Sequence, residues 1–175
     1  MNHFELFNLS PAFNLDPAQL AKTYQTLQLL THPDKFATAG ERDKRIALQK
    51  NAQVNDAYQV LKSPLRRAEH MLELRGVELK HEQQTMQDGM FLMQQMQWRE
   101  QLEEVDSTAD PLSELDGLDM EIEQHIQQHL VQLESLLFEH SASSDDAGAN
   151  VVRKLKFFYK LKNEIAIKED ALSDF

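Results

Sequence analysis

Proline lacks a backbone N–H and its ring clashes with the preceding turn, so it marks where helices can begin or must end. In this chain Pro11, Pro17, Pro33 and Pro64 all stand at the edge of an apolar pattern with helical spacing. Phe4, Phe7 and Leu9 form a short cluster closed by Ser10-Pro11, which predicts one or two helical turns. Asp16 precedes Pro17 with Gln19 three residues on, so a cap, a proline at the first helical position and a near-capping box coincide. The helix that starts there carries Leu20, Tyr24, Leu27 and Leu30 at helical spacing and stops before Pro33, leaving residues 32–40 as a loop. No glycine or proline interrupts residues 41–62, where Ala47, Val54, Ala57, Tyr58 and Leu61 form one stripe suited to packing antiparallel on the preceding helix. Ser63-Pro64 repeats the cap-and-proline start, and Gly76 supplies the residue best able to take a left-handed end conformation.

Beyond Gly76 the sequence predicts three longer helices, over about residues 86–105, 112–140 and 151–172. The intervening 107–111 and 141–150 are rich in Ser, Asp and small residues, which favour turns. Short connections imply an antiparallel three-helix bundle. The expectation is an all-α chain with one unit over 1–76 and a second over 83–175.

Composition narrows the function. The formal net charge of -11 repels a phosphate backbone, so nucleic acid is not an expected partner. The absence of cysteine removes disulfides, thiolate metal ligands and a cysteine nucleophile, so the chain cannot hold an iron-sulfur cluster by thiolates. The opening MNHFELFNL lacks a basic region and a long apolar run, and no window approaches a membrane span, which places the expected protein in the cytoplasm and away from membranes.

The segment THPDKF, between two amphipathic helices, together with NDAYQVLKSPLRRAEH, resembles the J-domain of DnaJ-type co-chaperones. A His-Pro-Asp tripeptide alone is weak, expected in on the order of one chain in a hundred of this length, and could be a plain helix stop. Its context makes it specific: the Ala57-Tyr58-Val60-Leu61 stripe and Pro64, Arg67 and Ala68 follow at the family's spacing. Physically, Pro33 stiffens a turn from which His32 and Asp34 project polar groups, which suits protein docking. No serine, cysteine or second carboxylate in the loop supplies a nucleophile or an acid–base pair, so the loop does not read as an enzyme site. The resemblance implies that His32, Pro33 and Asp34, with Lys35 and Lys22, engage a DnaK-type chaperone and stimulate its ATP hydrolysis. The chain departs from the family in charge: between Leu20 and His32 only Lys22 is basic, so Lys35, Arg42, Lys44 and Arg45 would share the electrostatic steering.

Neither a Gly/Phe-rich linker nor a cysteine-rich region follows. A J-domain continued by a compact acidic helical domain resembles the HscB type, the co-chaperone of iron-sulfur cluster assembly. MNHFELFNL, FLMQQMQWREQLEE and VVRKLKFFYKLK are its best-matched segments. The resemblance implies a dedicated chaperone of the HscA kind and an iron-sulfur scaffold protein as partners, no resident cofactor, and a client-binding face at Leu92, Met93, Met96, Gln97, Glu100, Glu104 and Phe157. Gln97 departs from the carboxylate often found there. The residues point the same way, because Phe91, Trp98, Leu102 and Val105 already make one core seam, and Leu92, Met93 and Met96 lie on a second arc with acidic neighbours. The alternative is that two other helices bury both arcs.

Two further clusters compete. His125 and His129 have the four-residue spacing of a shared metal site, which would make the bundle a metal protein, but two ligands make no site. Arg153, Lys154, Lys156, Lys160 and Lys162 could take an anion, although a solvated basic face balancing acidic neighbours is the plainer reading.

Overall fold

The computed structural model describes residues 1–79 and 88–174. The expected helix start near 86 and the expected second-unit start at 83 lie outside the described residues. Every regular element among the described residues is helical. Internal contacts divide the chain into Met1–Leu74 and Arg75–Phe175.

In the first unit, α1 (His3–Leu6) is held by a reciprocal cap. Asn2 Oδ1 accepts from the Glu5 N–H at 2.9 Å, and the Glu5 carboxylate accepts from the Asn2 N–H at 3.2 Å. That short turn buries Phe4 and Phe7. The Asp16 carboxylate accepts from the Ala18 and Gln19 N–H groups to start α2 (Pro17–Thr31).

Helix α3 (Glu41–Lys62) runs antiparallel to α2. The Tyr24 ring stacks on Tyr58 at 4.0 Å and its hydroxyl donates to Asn55 at 2.6 Å, while Asn51 donates to the Thr31 hydroxyl at 3.1 Å. Those polar contacts explain a departure from the expected stripe. Thr31, one position after Leu30, takes the inward place at the end of α2, and Leu30 stays 57% exposed. The α3 stripe is otherwise as the sequence predicts, with Ala47, Val54, Ala57 and Leu61 buried.

Helix α4 (Pro64–Leu74) buries Ala68, Met71 and Leu72 and is followed by Gly76 at φ +76°. Arg67 is buried with them. It donates to the Leu61 carbonyl at 2.7 Å and lays its guanidinium over Phe13, which offsets part of its desolvation.

The second unit contains α5 (Gly89–Glu104), α6 (Pro111–Glu139) and α7 (Ala142–Ser173), with a 3-10 turn at Val105–Ser107. Ion pairs Asp88–Lys154, Arg99–Glu164 and Asp106–Lys168 keep α5 parallel to α7. Lys162 pairs with Glu123 and Asp119, consistent with α6 running antiparallel to both. Leu115, Leu118, Ile122, Ile126, Leu133 and Leu137 of α6 share the core with Val152, Leu155, Phe158, Leu161 and Ile165 of α7.

The expected turn at 141–150 is helical instead. His140, at φ 51°, ends α6, and Ser141 immediately caps α7. Ser141 Oγ accepts from the Ser144 N–H at 3.0 Å, and Ser144 Oγ accepts from the Ser141 N–H at 2.8 Å. Ser and Asp compete with a helix only in its interior, and in the first turn they stabilise it. The small residues serve close packing: Gly148 is buried against Leu133 and Leu137 of α6, and Ala149 is buried beside it. A methyl group on Gly148 would stand 3.7 Å from Leu133 Cδ1, an ordinary van der Waals distance. Gly148→Ala is therefore expected to stabilise the protein by about 0.5–1 kcal/mol through lost unfolded-state entropy, read as a higher urea midpoint. A lower midpoint would show that α6 and α7 need the bare glycine.

A partly buried ion pair ties the start of this unit to the α6–α7 corner. Arg75 donates to Asp145 at 2.8 Å and to the Leu137 carbonyl at 2.9 Å. Among the described residues, no helix is long and apolar enough to cross a membrane.

Candidate functional site

The loop of the first unit takes its shape from Pro33. The residue before a proline is driven out of α geometry, and His32 sits at φ -63°, ψ 131°, ending α2. Pro33–Phe36 then form a single 3-10 turn, closed by the Lys35 N–H donating to the His32 carbonyl at 3.1 Å. His32 caps that turn, its Nδ1 accepting from the Asp34 N–H at 3.2 Å. The Asp34 side chain is 93% exposed, and His32 and Lys35 are exposed with it.

The loop thus presents an acid, an imidazole and an ammonium from a braced corner. Lys22 is exposed on α2, and Arg42 and Arg45 are exposed at the start of α3, with Lys44 half-buried and in contact with Glu41. Leu29 and Leu30 are exposed just before the loop, Leu30 in departure from the stripe its spacing predicts and Leu29 as an apolar residue outside that stripe. Leu29 could have been found, since it lies off the Leu20–Tyr24–Leu27 row.

In the second unit α5 separates two faces. Phe91, Trp98 and Val105 are buried and Leu102 is half-buried. Leu92 is 38%, Met93 63% and Met96 66% exposed, and Gln97, Glu100 and Glu104 are exposed beside them. The second arc therefore lies outside the bundle core. Met90, also exposed, extends the apolar surface at the start of α5 and was not anticipated.

Phe157 of α7 is half-buried and sits at the rim of an aromatic cluster. Its ring meets Phe91 edge-on at 5.6 Å, lies near-parallel to Trp98 at 6.0 Å, and is overlain by the Arg99 guanidinium at 5.4 Å. A second row of exposed apolar residues, Met120, Val131 and Phe138, runs along α6.

His125 and His129 belong to the same aromatic cluster. His125 stacks on Phe158 at 5.3 Å and meets Trp98 edge-on at 5.0 Å, while His129 meets Phe158 edge-on at 5.0 Å. The His129 Nδ1–H donates to the His125 carbonyl at 2.6 Å. Burial holds the His129 imidazole below its usual range, and the nearby charges of Lys154 and His125 add to that effect, against the pull of the hydrogen bond. Glu121, one turn before His125 on α6, accepts from Trp98 Nε1 at 3.1 Å. No group of three or more His, Asp or Glu gathers as a metal site among the described residues. Of the basic cluster on α7, Lys154 and Lys162 are spent on ion pairs within the bundle, and Arg153 is buried with its guanidinium donating to Asn150.

Residues 2–70 match the family model of the DnaJ domain, and residues 87–166 match that of the HSCB C-terminal oligomerisation domain. The chain is 65% identical, over the full length of both, to the co-chaperone protein HscB homolog of Pseudoalteromonas atlantica. It is 49% identical to the HscB homolog of Shewanella halifaxensis, covering 99% of this chain and 100% of that one. Its fold superposes on the chaperone HscB from Vibrio cholerae with a TM-score of 0.89 at 47% identity, covering 98% of this chain and 99% of the other. On full-length identity and on fold, the chain belongs to the HscB family of J-domain co-chaperones.

Proposed function

We propose that this co-chaperone binds an iron-sulfur scaffold protein and delivers it to a dedicated DnaK-type chaperone of the HscA kind, whose ATP hydrolysis it stimulates. The chain itself catalyses nothing in this scheme, since hydrolysis takes place on the partner. His32, Pro33 and Asp34 engage the chaperone, with Lys35 and Lys22 supplying charge that speeds encounter. Leu92, Met93, Met96, Gln97, Glu100, Glu104 and Phe157 hold the scaffold, an apolar strip for affinity and an acidic flank for orientation.

The observation that carries the proposal is the sidedness of α5. Its large aromatic residues face the core while Met93 and Met96 stand largely in solvent with Leu92 partly exposed beside them, an arrangement that lowers solubility unless a partner covers it. Methionine suits such a role because it adapts to the surface it meets.

Carrying both surfaces on one chain turns the meeting of chaperone and scaffold into an intramolecular event. The scaffold's effective concentration at the chaperone rises accordingly. The test is steady-state ATPase of the chaperone with this protein, with the scaffold, and with both. Stimulation by both together is expected to exceed the sum of the separate effects. Simple additivity would mean that the two surfaces do not act as a tether.

A further inference from the structure

We propose that Arg99 is a positioning residue of the scaffold-binding face, holding the Phe157 ring in place against Phe91 and Trp98 of α5; this rests on the assignment of that face made above. Arg99 is the one cation in the sequence of α5. Its guanidinium lies over the Phe157 ring at 5.4 Å and donates to Glu164 at 2.8 Å. The three residues form a chain across α5 and α7: a carboxylate fixes a guanidinium, and the guanidinium fixes an aromatic ring. Phe91 and Trp98 bear on the same ring from the core. Phe157 is thus restrained by core aromatics and by a cation before any partner arrives, although it is only half-buried.

Two consequences follow from that arrangement. A ring already held in its docking orientation loses little freedom on binding, which is where preorganisation raises affinity. Glu164 also neutralises the cation locally, so the face keeps the acidic character of Glu100, Glu103 and Glu104, all exposed on α5. Arg99 and Glu164 are both partly exposed, and pairs of that kind contribute little to folding stability. A loss of scaffold affinity on removing the pair would therefore come from the face and not from unfolding of the bundle.

The test is a double-mutant cycle read by calorimetric titration with the purified, cluster-free scaffold protein. Arg99→Met keeps the aliphatic stem and removes the planar cation. It is expected to weaken binding by about threefold to tenfold, the range of a partly desolvated cation–aromatic contact. In a Phe157→Ala background the same change is expected to cost nothing further, because its effect passes through the ring.

Glu164→Gln, which removes the charge that holds Arg99 without altering α5, is expected to act in the same direction with about a twofold to threefold loss. It carries the test should Arg99→Met fail to fold. Arg99→Lys, which lacks the flat guanidinium, is expected to rescue little. Unchanged affinity in both Arg99→Met and Glu164→Gln, or an equal loss with and without Phe157, overturns the proposal. If Phe157→Ala and Met93→Ser both bind as tightly as wild type, the assignment of the face itself fails, and the role of Arg99 fails with it. If those two weaken binding and the Arg99 and Glu164 variants do not, only the role of Arg99 fails.

Discussion

Replacing His32 with glutamine is expected to reduce stimulation of the partner chaperone's ATPase to near its basal rate while leaving the fold intact. His32 is half in solvent, and its intramolecular role is to cap one 3-10 turn through Nδ1. The cap's loss costs at most about 1 kcal/mol. The turn keeps Pro33 and the Lys35 N–H to His32 carbonyl bond, neither of which needs the imidazole. Far-UV circular dichroism and the unfolding midpoint should therefore change little.

The functional loss should be much larger. A rigid polar group at the centre of a small docking surface is the kind of contact whose removal costs about 2 kcal/mol or more, roughly thirtyfold in the coupled equilibrium. Glutamine can offer an amide but cannot reproduce the planar imidazole whose Nδ1 caps the Asp34 N–H. The compensation available elsewhere is small, because Lys22 is the one basic residue on α2. Undiminished stimulation by the His32→Gln protein, at chaperone concentrations below saturation, would remove the loop from the mechanism. A variant that stimulates weakly at low salt but not at high salt would place the remaining energy in the charges of Lys35, Arg42 and Arg45.

The helices were legible because their boundaries are written in residues with strong local preferences. Asp16-Pro17 and Ser63-Pro64 fix two starts, and the uninterrupted stretch before Lys62 predicts a helix that the structure reproduces over Glu41–Lys62. Residues 141–150 were misread because Ser, Asp and Gly signal a turn or a capped helix start equally well. What settles the matter is packing of Gly148 against α6, which composition cannot reveal. Leu30 was misplaced for a related reason: spacing locates a stripe but does not say where a polar Thr31–Asn51 contact displaces it.

The candidate surfaces divide in the same way. The tripeptide at 32–34 carries little information by itself, and its meaning came from the resemblance of the flanking helices. The second arc of α5 could be seen from spacing, but the choice between solvent and bundle needed coordinates. The restraint of Phe157 by Arg99 and Glu164 joins residues 65 apart in sequence and is invisible to any local pattern.

The triple substitution of Leu92, Met93 and Met96 by serine is expected to weaken scaffold binding by at least about a hundredfold and to leave the bundle folded. Burying each of these side chains at an interface is worth roughly 1–2 kcal/mol. Even with imperfect additivity the three together exceed the roughly 2.7 kcal/mol of a hundredfold change. The fold gains little from Met93 and Met96, about two-thirds exposed, and somewhat more from Leu92, which is 38% exposed. Phe91 and Trp98 keep α5 seated without their help.

The same variant separates the two activities of the chain, because α5 lies in the second unit and His32 in the first. Basal stimulation of the chaperone in the absence of scaffold should match wild type, while the extra stimulation seen when scaffold is added should vanish. The His32→Gln protein should show the converse, binding scaffold normally by calorimetry and failing to stimulate. Loss of both activities in either variant would mean that the surfaces are not independent. Retention of scaffold affinity by the triple variant would mean that the exposed strip of α5 serves some other partner.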